Sequence, residues 1–286
     1  MVVLAVIAGI VLLSVFFRWQ NNGIVVSHIV YTGKDVPREF NGFNILHVSD
    51  LHNKQFGEGQ QKISAVIARI KPDIIAITGD IIDKRRQGTS AAMMLASEAA
   101  KTAPVYYVPG NHERTSGIYE KLTEKLKATG VKVIANDAMT IERGGAVITI
   151  IGVKDWQFFR SVGEYQKTKE DYAKADKAFA KKLSELTAAH PKGFRLLLSH
   201  RPEKLRIYAQ IGFNLVLTGH AHGGQWRLPW IGGLFAPNQG VFPKYTSGLH
   251  KMGATSMVVS RGLGNSGFPL RLFNRPELVV ITLKRG

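Results

Sequence analysis

The chain has 286 residues, 45% hydrophobic and 21% charged, which is enough for one large domain with a sizeable core and excludes a disordered chain. It contains no cysteine, which excludes disulfides, a cysteine nucleophile and thiolate metal sites and leaves His, Asp, Glu and Asn as the strong metal ligands. The formal charge of +17 is unevenly placed, with eleven Lys and Arg in residues 201–286 against Glu203 and Glu277 alone; such a field attracts phosphates, nucleic acid or anionic membranes without choosing among them.

Met1–Phe17 is apolar apart from Ser14, and as a helix it spans ~26 Å, near the lower limit for crossing a bilayer. Arg18 and Trp19 follow at once, as interfacial anchors do. No Lys or Arg precedes the run and no small-x-small cleavage site follows it, which favours an uncleaved single-pass anchor in the cell membrane over a signal peptide. The length and purity of the run argue against a buried core helix. Arg18, Lys34 and Arg38 are too few to set the side of the membrane, which stays open. The organisation expected is an anchor over 1–19, a linker and first strand over 20–42, and one main domain over 43–286.

That domain opens with a repeating pattern. Phe43–Val48 is strand-like, Ile63, Val66, Ile67 and Ile70 recur at helical spacing, and Asp73–Thr78 is a short β-branched apolar run. Ser90–Thr102 is rich in Ala and Met and favours helix, and Val105–Val108 is a strand ended by Pro109-Gly110, giving β-α-β-α-β. Met139–Glu142 and Ala146–Ile151 flank Arg143-Gly144-Gly145, a hairpin signal. Tyr165, Tyr172, Phe179, Leu183 and Leu186 keep one helical face amid seven Lys and five acidic residues from Ser161 to Gly193, a solvated charged helix. Arg195–Leu198 and Asn214–Leu217 read as buried strands, and Ser256–Ser260 and Leu278–Leu283 as closing strands. Strand order does not follow from these patterns.

The polar residues carry the chemistry. Asp50, Asp80, Asn111, His200 and His220 each stand one to three residues past the end of an apolar strand, the edge at which open α/β sheets bind ligands. Asp50-Leu51-His52 places two ligand types at i and i+2, which an extended backbone would point the same way. Gly79 before Asp80 allows a sharp exit from its strand. Gly110-Asn111-His112-Glu113 is more specific, because asparagine is an unusual ligand; its plainer reading is a helix capped by Asn111 with Glu113 in the first turn. A lone His200 is more often a hydrogen-bonded structural residue. In Gly219-His220-Ala221-His222-Gly223-Gly224, two histidines at i and i+2 in a glycine-rich turn form a bidentate clamp. His28, His47, His190 and His250 lie outside these motifs and have no assigned role.

The order D-x-H, G-D, G-N-H-E, H, G-H-x-H over residues 44–222 resembles the calcineurin-like metallophosphoesterase superfamily. The N-terminal apolar run, Gly223-Gly224-Gln225, Ser260-Arg261-Gly262-Leu263-Gly264 and Arg275-Pro276-Glu277 look like its membrane-anchored bacterial YkuE/YaeI-type phosphodiesterase branch. The resemblance implies an α/β fold, a four-layer αββα sandwich of two mixed sheets with an N-terminal membrane helix. It implies a phosphoester hydrolase domain over 43–286 that holds two divalent metal ions. One ion would be held by Asp50, His52, Asp80 and His222, the other by Asp80, Asn111, His200 and His220, with Asp80 bridging. His112 matches the general acid, and Asp83 the carboxylate that orients it in some members; a helix-start or surface role for Asp83 is nearly as well supported.

Such a cage suits Mn²⁺, with Fe or Zn²⁺ as alternatives, better than Mg²⁺ or Ca²⁺, which prefer oxygen shells. The implied reaction is attack of a metal-bridging hydroxide on phosphorus with cleavage of a P–O bond of a phosphodiester, lipid-linked or nucleotide-linked. Lys84, Arg85, Arg86 and Arg201 adjoin the motifs and are candidates to clamp phosphate or are plain surface charges. Trp226–Tyr245, with five aromatics among Gly and Pro, is either a lip for a lipid or sugar-nucleotide tail or packing of an irregular loop. A nuclease with the same cage is the enzymatic alternative, although no nucleic-acid module or basic-aromatic ladder is present. A non-catalytic protein docking on anionic lipid through its basic C-terminal third is the other. Nothing in the sequence sets an oligomeric state.

Overall fold

The computed structural model describes residues 1–86, 88–160, 168–191 and 193–286. It begins with helix α1 (Val2–Asn22), which among the described residues is the one helix long and apolar enough to cross a membrane. In chain order β1 (Val25–Gly33) and β2 (Asn44–Val48) are followed by α2 (Gln61–Ile70), β3 (Ile74–Thr78), α3 (Ser90–Thr102), β4 (Val105–Val108), α4 (Asn111–Thr115), α5 (Tyr119–Ala128) and β5 (Lys132–Val133). Then come β6 (Asp137–Arg143), β7 (Ala146–Gly152), α6 (Lys169–Ala188), β8 (Phe194–Leu198), α7 (Leu205–Ile211) and β9 (Leu215–Thr218). Two short hairpins, β10 (Arg227–Leu228) with β11 (Gly232–Gly233) and β12 (Phe235–Ala236) with β13 (Gly240–Val241), precede β14 (Gly248–Met252), β15 (Thr255–Val259) and β16 (Glu277–Arg285).

The strands form two mixed six-stranded sheets. The first runs β1-β16-β2-β3-β4-β5, antiparallel only where β16 meets β2. The second runs β14-β15-β9-β8-β7-β6, parallel in the middle and antiparallel at both edges. The predicted hairpin closes through Gly144 and Gly145 at φ 58° and 81°, the left-handed pair that a two-residue turn demands.

Strand periodicity sorts the apolar residues into layers. Leu46, Val48, Ile75 and Ile77 face α2 and α3, packing on Ile63, Ile67, Leu95 and Ala99. Their neighbours Ile45, Ile74 and Ala76 face the second sheet and meet Leu196, Leu198, Leu215 and Leu217. On the far side, Leu197 and Val216 pack against Phe179 and Leu183 of α6 and Tyr208 of α7. The result is the expected four-layer αββα sandwich. Tyr172 and Leu186 are partly buried on the same side of α6, whereas Tyr165 lies outside the described residues. His47 sits on the inter-sheet face, bonded to Thr78 Oγ1 at 2.8 Å; burial pushes it down to about 3, so it is a neutral core residue.

The last turn of α1 is built into the domain. Gln20 and Asn21 are buried, and Asn21 Oδ1 accepts from Asn265 Nδ2 and the Arg271 N–H, both at 3.0 Å. Lys54 Nζ donates to the Asn21 carbonyl, the Arg275 guanidinium lies 4.5 Å from the Trp19 ring, and Phe16 and Phe273 meet edge to face at 6.0 Å.

Candidate metal centre

Parallel strands place their C-terminal ends on one edge, and here β2, β3, β4, β8 and β9 of both sheets deliver Asp50, Asp80, Asn111, His200 and His220 to that edge. Asp50, His52 and His222 lie together, with donor atoms within 4.8 Å of one another; His52, Asp80 and His112 do the same, as do Asp80, His200 and His220. All are buried. Asp50 Oδ1 is 3.4 Å from His222 Nε2 and 3.8 Å from His52 Nε2. Asp80 Oδ2 is 3.2 Å from His200 Nε2, 3.7 Å from His52 Nε2 and 4.0 Å from His112 Nε2. Asn111 lines the same cleft of about 280 Å³ as Asp80, His112, His220 and His222.

The backbone that achieves this differs from the extended Asp50–His52 segment read from the sequence. Asp50, His52, Asp80, His220 and His222 all have left-handed φ, between 48° and 64°. Such conformations are strained away from glycine and collect at functional sites. Bonds just past the strands hold them: Asp50 N–H donates to Gly79 O, His52 N–H to Asp80 O, and Gly264 N–H to Asp50 O at 2.6 Å. Gly79, at φ 88°, is needed for more than the exit of β3, because a Cβ there would strike the backbone of Gly110.

Glu113 is not simply a first-turn helix residue, and Gly110, not Asn111, precedes α4. Its carboxylate accepts the N–H groups of Gly110 at 2.7 Å, Asp80 at 2.8 Å and Ile82 at 3.2 Å, which ties the β3 and β4 loops together. Burial and the Asp80 charge push Glu113 up to about 7, and these three donors pull against that rise.

The donor set fits metal ions. The Asn111 amide oxygen is buried and has no hydrogen-bond partner, a cost that a cation removes. His200 shares Nδ1 with the Thr78 carbonyl at 2.7 Å, which leaves Nε2 facing Asp80. Burial alone would raise both aspartates, yet His222 and His52 hold Asp50, and His200 and His112 hold Asp80, well below the usual carboxylate range. Burial lowers His222 to about 3 and, with Arg201, puts His220 well below its ordinary value, so both rings keep their lone pairs. Against burial, Asp80 raises His200 to about 10; the carboxylate draws positive charge to that nitrogen, which a divalent ion would supply in the proton's place.

Around this group, His112 Nδ1 lies 3.2 Å from the Lys84 N–H and 3.3 Å from Asp83 Oδ1. Asp83 is buried and paired with Arg85 through bonds of 2.9 and 3.0 Å. Lys84 and Arg85 line the cleft, while Arg201 is no surface charge. Arg201 is fully buried, paired with Asp155 at 2.6 and 3.1 Å, and its Nη1 reaches His220 Nε2 at 3.1 Å and Asn238 Oδ1 at 2.7 Å. Asn238 Oδ1 also lies 3.1 Å from His220 Nε2. Asp155 and Asn238 carry no motif signal; only the apolar, Gly- and Pro-rich stretch after His222 marked Asn238's neighbourhood. That stretch is not buried loop packing throughout, since Trp230, Ile231 and Phe242 are exposed.

Buried carboxylates and imidazoles at the strand edge of an αββα sandwich define a metal-dependent phosphoester hydrolase. The chain belongs to the calcineurin-like phosphoesterase family, whose sequence profile matches residues 43–224. It is 31% identical to the Bacillus subtilis metallophosphoesterase YkuE over 257 residues, 87% of this chain and 82% of that one. It is 29% identical to the Escherichia coli phosphodiesterase YaeI over 246 residues, 84% and 82% of the two chains. The crystal structure of TT1561 from Thermus thermophilus superposes with a TM-score of 0.51 at 13% identity, covering 77% of this chain and 89% of that one, a likeness of fold alone.

Proposed function

We propose that this chain is a dinuclear phosphodiesterase that hydrolyses a P–O bond of a substrate presented at a membrane surface, with residues 43–286 as its catalytic domain and α1 as its single-pass anchor. The observation that carries the reading is the position of Asp80, whose carboxylate meets two separate histidine groups beside a further triplet at Asp50. One ion would be held by Asp50, His52, Asp80 and His222, and the other by Asp80, Asn111, His200 and His220. Mn²⁺ is the ion we assign, on the mixed imidazole and oxygen donor set. Bound there, a pair of divalent ions neutralises phosphoryl oxygens and makes a water acidic enough to serve as nucleophile at neutral pH.

The chain's own groups orient the substrate and move the proton. His112 protonates the leaving alkoxide from Nε2. Before the ring is protonated Nδ1 accepts from the Lys84 N–H; in the protonated ring Nδ1–H turns to Asp83, and donation from Nε2 leaves that Nδ1 proton in place. Burial lowers His112 below its ordinary value, and Asp80 and Asp83 pull against that fall. Despite its burial, Asp83 is held down at about 2 by Arg85 and so is ionised for this task. Lys84 and Arg85 bring positive charge to the phosphate side of the cleft.

The test is hydrolysis of bis-p-nitrophenyl phosphate by the Mn²⁺-loaded protein. Asp80→Ala removes the carboxylate common to two triplets, so bound metal and turnover are lost together. Undiminished turnover in chelator-treated Asp80→Ala refutes the reading.

A further inference from the structure

We infer that the apolar cavity beside the metal cleft receives a hydrocarbon chain of the substrate, which makes the substrate class an amphiphilic phosphoester lipid drawn from the bilayer. This rests on the dinuclear reading of the cleft and on α1 as the anchor, and adds what the site binds.

The cavity, about 320 Å³, is walled by Trp226, Leu234, Phe235 and Phe268, with Gln225 and Gly267 completing it. Gly267 also lines the metal cleft, so the apolar chamber and the polar one adjoin. The wall of the apolar chamber is well built: Trp226 Nε1 donates to the Leu270 carbonyl at 3.2 Å, its ring meets Phe268 perpendicularly at 5.0 Å, and the Arg227 N–H donates to Leu272 O at 3.0 Å. An amphiphile whose phosphate enters the cleft finds an open apolar pocket next to it for its tail. A sugar-nucleotide tail needs polar partners, and of the wall residues only Gln225 has a polar side-chain tip besides the Trp226 N–H, which is already bonded.

The position of the helix supplies the source of the lipid. Ser266, Gly267 and Phe268, which line the two chambers, lie in the same segment as Asn265, Arg271 and Phe273, which seat α1. Phe268, Leu270 and Phe273 of this segment are exposed by 44, 39 and 50%. A bilayer that takes up α1 begins where α1 meets this segment, and covers apolar side chains that water would otherwise meet. The tail of a membrane lipid thus has a path to the cavity that does not cross bulk water.

The experiment uses the full Mn²⁺-loaded chain in phosphatidylcholine nanodiscs and two chromogenic diesters, methyl and octyl p-nitrophenyl phosphate. Each is hydrolysed by water to p-nitrophenolate and the alkyl phosphate, so the bond broken is the same and only the tail differs. Each buried methylene is worth about fourfold, so four carbons held in the cavity give an octyl-to-methyl ratio of kcat/KM on the order of 200. Phe235→Ser/Phe268→Ser, at half-exposed positions, opens the cavity and brings the ratio below about 10, with Phe268→Ser alone between. Because the ratio is taken within each protein, altered yield or stability does not move it. Equal turnover of both esters by the unaltered chain overturns the lipid inference and leaves the phosphodiesterase reading standing. Turnover of neither ester by the metal-loaded protein removes both. A ratio that survives in the double variant overturns the cavity as the tail site, because partition into the bilayer alone then explains it.

Discussion

Replacing Glu113 with glutamine tests whether one buried carboxylate joins the two loops that carry Asp80 and Asn111. Its Oε2 accepts from Gly110 and Asp80 at 2.7 and 2.8 Å, and its Oε1 from Ile82 at 3.2 Å. Glutamine keeps the shape, and its carbonyl can retain the first two bonds. Its NH₂ then faces the Ile82 N–H, a buried donor against a donor. Above pH 7, where Glu113 is ionised, loss of one hydrogen bond to this charged acceptor costs about 1.5–3 kcal/mol. For a domain of this size about 2 kcal/mol lowers the melting temperature by ~4–8 °C, read by circular dichroism at fixed pH and Mn²⁺. Alanine strands all three donors at ~1–3 kcal/mol each, comparable with the whole stability of a domain, and little folded protein should accumulate. Looser Asp80 backbone should also weaken Mn²⁺ binding by about 10–100-fold in Glu113→Gln. A glutamine variant that melts within about 1 °C of the unaltered chain and binds Mn²⁺ equally would show that the clamp carries no such strain.

On a dialkyl phosphate, whose leaving alkoxide needs the proton, His112→Ala should lower kcat by ~10²–10⁴ while metal content, measured by elemental analysis, stays unchanged; loss of an ion instead would make His112 a ligand, as its place in the His52–Asp80 triplet also permits. Asp155→Ala leaves the Arg201 guanidinium buried without its main partner, and urea unfolding should show a loss of about 3–5 kcal/mol; a loss below about 1 kcal/mol refutes the pairing. Burial, helped by Arg271 and Arg86, pushes Lys54 down to about 7 from 10.5. The unfolded chain therefore holds the extra proton between those values, and this residue's contribution to stability rises with pH across that window. Melting curves of Lys54→Met against pH should lack that rise, and an unchanged slope contradicts the shift.

The residues that meet at the cleft were legible because they stand at or just past the ends of short apolar strands and carry metal-binding side chains, a local pattern that needs no partner to be seen. The sandwich came from the same runs through the family resemblance. What stayed hidden depends on residues far apart in the chain. Strand β16 inserts between β1 and β2, a pairing that local propensity does not encode. The left-handed turns at Asp50 and His52 are held by Gly79, Asp80 and Gly264, the last more than two hundred positions away, and an i, i+2 spacing reads as extended without them. Asp155 and Asn238 act on Arg201 and His220 from loops with no periodicity, and Glu113 looks like an ordinary first-turn acid until its three donors are in view.

The close approach of Gly79 to Gly110 limits how ions held at this edge would be exchanged. Since the two loops meet backbone to backbone and share the Glu113 clamp, they cannot part to release cargo without much of the strand edge coming undone. Traffic would be left to the cleft that Asn111, His112, His220 and His222 line. Chelators should then empty the protein at a pace set by access through that cleft, well before the fold gives way, and the emptied chain should reload without refolding.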